Sequence, residues 1–241
     1  MTEVDVIIIS WAKTPELRTV TQNCLDTLYS SETDVRFNPV IVESAPDVEY
    51  NWGATIHPKD EFGYNKYCNL GRKAGKAPWV ALCNNDIMFH PGWATIMLAA
   101  HKQFPQFRSM SPWCPRTMGD VNGKQGTLLE GYQIRNHVAG WCLFHERGIY
   151  DAIGDLDEKI RFWYADNDYA LLIEKNGIKH CVVPDALVTH EGADWIEMDD
   201  LKVSLGATAR TVTADDLKEK YMWADKEYVE KKWDVKFNDG H

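Results

Sequence analysis

Short apolar runs alternate with amphipathic stretches along most of the chain, and this alternation predicts strands that alternate with helices. The apolar runs predict buried strands over residues 4–10, 38–43, 54–57, 79–83, 108–111, 138–144, 181–183 and 186–189. The stretches between them predict helices that begin at Pro15 or cover residues 63–74, 92–101, 146–153 and 166–177. Such an order is typical of an α/β fold with a mainly parallel, twisted sheet and right-handed crossovers.

Three of these helices carry apolar residues at helical spacing, so each has one face directed at a core. The inward positions are predicted to be Leu17, Val20, Cys24, Leu25 and Leu28 in the first helix, Tyr67, Leu70 and Ala74 in the second, and Tyr169, Leu172 and Ile173 in the last. Pro15 suits a first helical turn, Asp166 suits an N-cap and Gly177 suits a helix end.

Two regions depart from this alternation. Residues 112–133 contain several glycines among polar residues and predict a long loop or loose hairpin, and loops of this length are usually functional or mobile. After Gly192 the pattern is weaker, acidic and helical. We therefore predict one main domain over residues 1–192 and a helical appendage over residues 193–241 that packs on it.

Composition limits the class of protein. A chain of 241 residues with 44% hydrophobic residues is long enough for one domain with a sizeable core. No apolar run approaches the length of about 18 residues that a membrane span needs, and residues 1–9 have no signal-peptide pattern. We expect a soluble, cytoplasmic protein. The six cysteines form no CxxC pair and are expected to be small buried thiols.

The formal net charge of −10 disfavours non-specific binding to nucleic acid or to anionic membranes. It does not exclude a local basic groove. Lys124, Arg116 and Arg135 flank or belong to the glycine-rich loop and could form a basic rim there.

Three polar residues follow the predicted strand at residues 79–83. Asn84, Asn85 and Asp86 stand where the carboxyl end of a buried parallel strand faces a ligand crevice. Their oxygens are ligands that Mg²⁺ or Mn²⁺ prefers, and one or two carboxylates together with substrate phosphates can hold such an ion. An Asn-Asn-Asp turn without any ligand is the alternative, because Asn and Asp dominate turns.

Further motifs stand before and after this triplet in the chain. They are Asn69 and Gly71 in an N-x-G element, Pro91-Gly-Trp93, the Gly140 to Phe144 segment, Asp166 and Asp168, Gly177, and the P-D-A-x-V-x-H segment from Pro184 to His190. Taken together, over roughly residues 4 to 192, this order resembles the family 2 glycosyltransferases of the GT-A fold. No single motif is specific for this family, whereas five of them in the right order are specific for it.

The resemblance implies a role for each matching residue. It places a Mn²⁺ or Mg²⁺ ion on Asp86 and His190. It places a nucleotide-sugar donor against Ser10, Thr14, Glu43, Asn69, Asn84 and Asn85. Asp166 occupies the position of the catalytic base and Asp168 lies nearby, while Ala165 replaces the acidic residue that usually precedes the base. This departure removes one acidic partner from the site.

The resemblance thus implies a metal-dependent inverting glycosyltransferase that moves a sugar from a nucleotide-diphosphate donor, a UDP-sugar, to an acceptor hydroxyl on a saccharide. A phage-type enzyme that glycosylates hydroxymethylated pyrimidine in DNA is one alternative. Another is a catalytically silent nucleotide- or carbohydrate-binding module, because Asn84 and Ala165 replace acidic residues. A dehydrogenase is disfavoured because no GxGxxG follows the first strand.

Overall fold

The computed structural model describes residues 1–119, 124–190 and 221–237. Its strands are β1 (Thr2–Ser10), β2 (Val35–Glu43), β3 (Ala54–Ile56), β4 (Trp79–Asn84), β5 (Ile87–Phe89), β6 (Phe107–Trp113), β7 (Leu129–Glu130), β8 (Cys142–Glu146) and β9 (Lys179–His190). Its helices are α1 (Pro15–Ser30), α2 (Tyr64–Ala74), α3 (Trp93–Gln103), α4 (Tyr150–Ile153), α5 (Ala165–Lys175) and α6 (Trp223–Trp233). A 3₁₀ turn at Arg147–Ile149 precedes α4.

The strands form one sheet in the order β3-β2-β1-β4-β8-β6-β9-β5, and β7 pairs with β9. The half from β3 to β4 is parallel, as the alternation of strands and helices predicts. Beyond β4 the sheet is mixed, because β8 runs antiparallel to both β4 and β6. The prediction of a mainly parallel sheet therefore holds only for the first half.

The parallel half follows directly from its sequence. Ile7, Ile8 and Ile9 in β1 are almost completely buried, because helices cover both faces of the sheet. Thr14 caps α1 by accepting from the Leu17 N–H, and Pro15 opens the helix as predicted. All five predicted inward residues of α1 are buried.

Helix α2 has the predicted bounds but a different inward face. Leu70 is 38% exposed and Ala74 also faces solvent, whereas Tyr67 and Gly71 are buried. The reason is a close approach of α2 to the sheet at Gly71. A β-carbon there would stand 2.3 Å from the Cγ2 atom of Ile7, so this position admits no side chain. The glycine of the N-x-G element is therefore required for packing.

Several boundaries in the second half differ from the predicted ones. The strand predicted over 138–144 begins only at Cys142, and the helix predicted over 146–153 is divided into the 3₁₀ turn and α4. The two strands predicted over 181–183 and 186–189 are one strand, β9. Its pairing with β6 shifts register between Pro112 and Trp113, opposite Pro184, which has no N–H to donate.

The predicted helical character of the C-terminal region is confirmed over Trp223–Trp233, and the division into two domains stays a prediction. Residues 193–220 and 238–241 of the predicted appendage, and part of the predicted loop at 112–133, lie outside the described residues. All six cysteines are buried free thiols, as expected. Among the residues described, no helix is both long and apolar enough to cross a membrane.

Candidate active site

Two neighbouring pockets share the aromatic residues Phe162 and Trp163. The smaller has a volume of about 360 Å³ and includes Trp11 and Ser44, which directly follow β1 and β2. The larger has a volume of about 570 Å³ and includes Asn84, Asp166 and His190. The small pocket thus lies at the carboxyl ends of parallel strands, where open α/β sheets bind ligands.

Strand pairing brings Asp86 and His190 together. Asp86 lies in the turn between β4 and β5, and Ile87 of β5 pairs with His190 at the end of β9. His190 Nε2 lies 3.1 Å from Asp86 Oδ1. His190 also stacks on Trp141, with 5.6 Å between the ring centroids. Asp86 itself borders a separate cavity of about 230 Å³, whereas His190 lines the larger pocket.

The Asp86 carboxylate is buried, and no residue in the described part of the chain donates a hydrogen bond to it. The residue is 3% exposed, and both of its side-chain oxygens lack a hydrogen-bond partner among the described residues. His190 Nε2 lies 3.3 Å from the Asn84 side-chain amide and 3.1 Å from Asp86 Oδ1, and the direction of these contacts depends on the tautomer of the ring. A buried carboxylate in this position is costly unless a cation compensates it.

These residues fit a divalent cation. Two neighbouring ligands at about 2.1 Å in an octahedral shell stand about 3 Å apart, close to the observed separation of His190 Nε2 and Asp86 Oδ1. Within residues 1–119, 124–190 and 221–237, no group of three or more His, Cys, Asp or Glu side chains could hold a metal ion. The fit is therefore to an ion that takes its remaining ligands from water and substrate phosphates, as Mg²⁺ commonly does.

Asp166 lines the larger pocket from the first turn of α5. The N-cap is Tyr164, in the left-handed region with φ of 60°, so the prediction that Asp166 itself caps the helix is wrong. Its Oδ1 accepts from the Asn167 N–H at 2.9 Å. Gly140 lies directly against it, since a β-carbon on Gly140 would stand 2.7 Å from the Asp166 Cβ. The helix N-terminus also favours negative charge at this position.

Asp168 points away from both pockets. It is 1% exposed, and its Oδ1 accepts from Trp233 Nε1 and pairs with Lys232 Nζ, both at 2.7 Å. Both partners belong to α6. The structure therefore separates the two predicted catalytic carboxylates, placing Asp166 in the cleft and Asp168 in the contact with the C-terminal helix.

Ser10 and Glu43 directly precede Trp11 and Ser44, which line the small pocket. Glu43 Oε1 accepts from the backbone N–H groups of Ala12 and Ala45, and Oε2 accepts from the Tyr50 hydroxyl. The Ser10 hydroxyl bonds to Thr21 and Tyr50. These contacts tie the turn after β1 to the turn after β2. Ser10, Thr14 and Glu43 are not among the residues that line this pocket, and their direct contact with a nucleotide stays a prediction.

Asn69 and Asn85 are also engaged within the protein. Asn69 is buried and exchanges hydrogen bonds with the backbone of Leu156, and it donates a further one to Glu158. Asn85 donates to Thr21 Oγ1 at 2.9 Å. Asn69 therefore fixes the loop before the aromatic residues, whereas Asn84 lines the larger pocket beside His190.

Several pocket residues were not identified from the sequence. Trp141 and Tyr64 line the larger pocket, and the Tyr64 hydroxyl donates to the Gly140 carbonyl. Burial raises the pKa of Tyr64 well above its ordinary value, so it remains a neutral donor. Trp141 directly follows Gly140 in a motif segment, and this adjacency was the available signal. Arg116 and Arg135 of the predicted basic rim also line this pocket.

Comparison with known proteins supports the fold. No family profile matches the chain, and no curated protein matches its sequence. The structure is similar to S. aureus TarS, a GT-A-type glycosyltransferase. The match to TarS 1-349 has a TM-score of 0.56 at 12% identity and covers 77% of this chain and 58% of that one. A second TarS structure matches with a TM-score of 0.58 at 13% identity, and the match covers 77% of this chain and 35% of that one. The chain therefore spans less than two thirds of each TarS chain that it matches. It has a GT-A-like fold, as predicted.

Proposed function

We propose that this protein is a metal-dependent inverting glycosyltransferase that moves one sugar from a nucleoside-diphosphate donor to an acceptor hydroxyl. The observation that carries the proposal is the buried Asp86 carboxylate, which accepts no hydrogen bond from the described residues and lies 3.1 Å from His190. His190 lines the same pocket as Asp166. A cation ligand pair whose histidine lines this pocket and a carboxylate base in the same pocket are the two parts that such a transfer requires.

The small pocket is the proposed site for the nucleoside of the donor. Trp11 and Phe62 offer aromatic faces, and Ser44 follows the end of β2. A pyrimidine such as uracil presents a π-face and hydrogen-bonding edges, which suit a pocket that combines aromatic and polar side chains. From here, the diphosphate would extend past Phe162 and Trp163 towards Asn84 and His190.

The proposed cation is Mn²⁺ or Mg²⁺, held by Asp86 and His190. When bound, it neutralises the charge that develops on the leaving diphosphate as the glycosidic bond breaks. The Asn84 side-chain amide lies 3.3 Å from His190 Nε2 and so borders the proposed ion site. Trp141 fixes the plane of the His190 ring by stacking on it.

Asp166 is the proposed general base. It takes the proton of the acceptor hydroxyl while the hydroxyl oxygen attacks the anomeric carbon. The bond from that carbon to the diphosphate oxygen breaks, and the diphosphate leaves with the electron pair. Attack on the face opposite the diphosphate inverts the anomeric configuration. The close packing of Asp166 against Gly140 holds the carboxylate in place for this step.

A saccharide is the acceptor that the larger pocket favours. Trp141, Phe162 and Trp163 present aromatic side chains along its wall, and aromatic faces pack well against the apolar faces of sugar rings. Sugar transfer to saccharide pools, detected by mass spectrometry as a one-sugar increase in mass, tests this acceptor directly.

A second candidate acceptor is DNA that contains hydroxymethylated pyrimidines. The observation that favours it is the presence of Arg116 and Arg135 on the wall of the larger pocket, in a chain with a net charge of −10. Their loops are joined by a hydrogen bond from the Gly119 N–H to the Arg135 carbonyl. Sugar transfer to modified DNA, with binding that weakens steeply as salt rises, would support this acceptor, and the absence of both would exclude it.

A further inference from the structure

The segment of residues 161–164, here called the aromatic loop, forms a wall of both pockets. Arg161 lines the small pocket, Tyr164 lines the large one, and Phe162 and Trp163 line both. The Phe162 ring packs edge-on against Trp163 at 5.0 Å and against Tyr64 at 5.9 Å. The loop leads directly into α5, whose first turn carries Asp166. Its position therefore bears on both pockets and on the proposed base.

A carboxylate from α6 holds this loop. Asp225 is 3% exposed, and its two oxygens accept separately from the N–H groups of Arg161 at 3.0 Å and Phe162 at 2.9 Å. Two adjacent backbone donors thus converge on one buried carboxylate, and hydrogen bonds to a charged acceptor are stronger than neutral ones. Asp225 is absent from the residues that line either pocket, so it acts only through the loop.

Helix α6 also fixes the elements on either side of the aromatic loop. Lys232 Nζ bridges Asp157, at 2.9 Å, and Asp168, at 2.7 Å. Tyr228 donates to Asp157, which precedes the loop, and Trp233 donates to Asp168, which follows it. Helix α6 therefore holds residues before, within and after the loop, and loss of the Asp225 contacts alone would release the middle of the segment while leaving both ends attached.

We propose that Asp225 is a positioning residue that holds the aromatic loop closed between the two pockets and so directs the sugar to the acceptor rather than to water. The inference rests on the proposed function. A loosened loop admits water beside the donor, and an active site that excludes water suppresses hydrolysis. In that side reaction the water oxygen attacks the anomeric carbon, the diphosphate leaves with the electron pair, and Asp166 takes the proton from water.

The test compares Asp225→Asn with Glu227→Gln in the full chain. Asparagine has one acceptor oxygen, so it must turn an NH₂ group towards one of the two N–H donors. Glu227 lies exposed on the same helix and provides the matched change from acid to amide. The reactions contain Mn²⁺ and a saccharide acceptor. Free sugar and the sugar-acceptor product are both measured in each reaction. We expect the ratio of transfer to hydrolysis to fall about tenfold in Asp225→Asn, the order expected for one charged hydrogen bond, and to stay unchanged in Glu227→Gln.

Amide hydrogen exchange at Arg161 and Phe162 supplies a readout that does not depend on activity. These two N–H groups should exchange faster in Asp225→Asn and at the unaltered rate in Glu227→Gln. If Asp225→Asn does not fold, Asp225→Glu keeps the charge and shifts the oxygens by one methylene, and a lower ratio is again expected. An active wild-type protein whose ratio is unchanged by these variants overturns this inference alone, whereas a wild-type protein that neither transfers nor hydrolyses overturns the proposed function as well.

Discussion

Gly140 packs so closely against Asp166 that a β-carbon at position 140 would stand 2.7 Å from the Asp166 Cβ and 2.9 Å from Oδ2. We predict that Gly140→Ala keeps the fold but displaces the Asp166 carboxylate, and that kcat falls about 10²-fold, since small displacements at a reacting centre have effects of this size. Steady-state kinetics and thermal unfolding measure the two effects separately. Gly63→Ala is the control, because its added carbon finds its nearest neighbour at 3.4 Å. Unchanged kcat in Gly140→Ala would show that this contact does not position the base.

The two carboxylates of α5 should respond differently to the same substitution. Asp166→Asn should keep its thermal stability and lose transfer by about 10²–10⁴-fold, the usual contribution of a general base. Asp168→Asn should be less stable by about 3 kcal/mol, because it breaks a buried ion pair with Lys232. Denaturant unfolding measures the stability of both variants. Initial rates at a temperature where both are folded measure their activity. A folded Asp168→Asn without activity beside a fully active Asp166→Asn would reverse the assignment.

The Asp86 carboxylate predicts an unusual dependence of stability on metal. Without a divalent ion at pH 8, Asp86→Asn should be more stable than wild type by about 1 kcal/mol, because it removes a buried charge to which none of the described residues donates a hydrogen bond. With Mn²⁺ the wild-type protein should be the more stable of the two, since ligand binding stabilises only the protein that can bind the ligand. Melting temperatures with chelator and with Mn²⁺ measure both states. A less stable Asp86→Asn in chelator would indicate that His190 already compensates the charge as a histidinium.

The sequence predicts the parts of the site that local patterns encode. The strand that ends at Asn84 and the strand that ends at His190 are visible as apolar runs, and motif order brings Asp86 and His190 to one site. The first-half sheet and the face of α1 follow from periodicity in the same way.

Contacts between distant segments are what local patterns miss. Nothing near Asp168 indicates that Trp233 and Lys232 occupy its carboxylate, and nothing near Asp225 indicates that it holds the aromatic loop. Asn69 and Glu43 were assigned to the donor because their positions match a motif, yet their side chains are engaged by Leu156 and by the turns after β1 and β2. Side-chain direction depends on packing that the sequence pattern does not specify.

Two buried histidines predict how stability depends on pH. Burial, together with Arg147 and Arg72, lowers the pKa of His145 to about 3, and burial lowers that of His180 to about 4, against an ordinary value of 6.5. Between pH 6.5 and pH 4 the unfolded chain therefore binds protons that the folded protein does not. The free energy of unfolding should fall as pH falls through this window, by up to about 1.4 kcal/mol per pH unit for each histidine.

Urea unfolding between pH 7.5 and pH 5 measures this dependence. His180→Gln should reduce the slope of the free energy of unfolding against pH by about the contribution of one histidine. Its absolute stability should also fall, because His180 bonds to Ser109 and Ser111. Stability that is flat over this range in the wild-type protein would contradict the neutral, buried state of both rings.

The most direct test of the proposed function is the rate at which the purified protein releases nucleoside diphosphate from a panel of nucleotide-sugar donors, with Mn²⁺ or with chelator, and with or without acceptor pools. We predict release that requires the metal, that is lost in Asp86→Ala, and that is retained in Asp151→Ala, an exposed carboxylate outside the pockets. Full release by Asp86→Ala, or release that is unaffected by chelator, would contradict the metal assignment. No release from any donor, by a protein that still binds nucleotide, would contradict catalysis itself and identify a binding module.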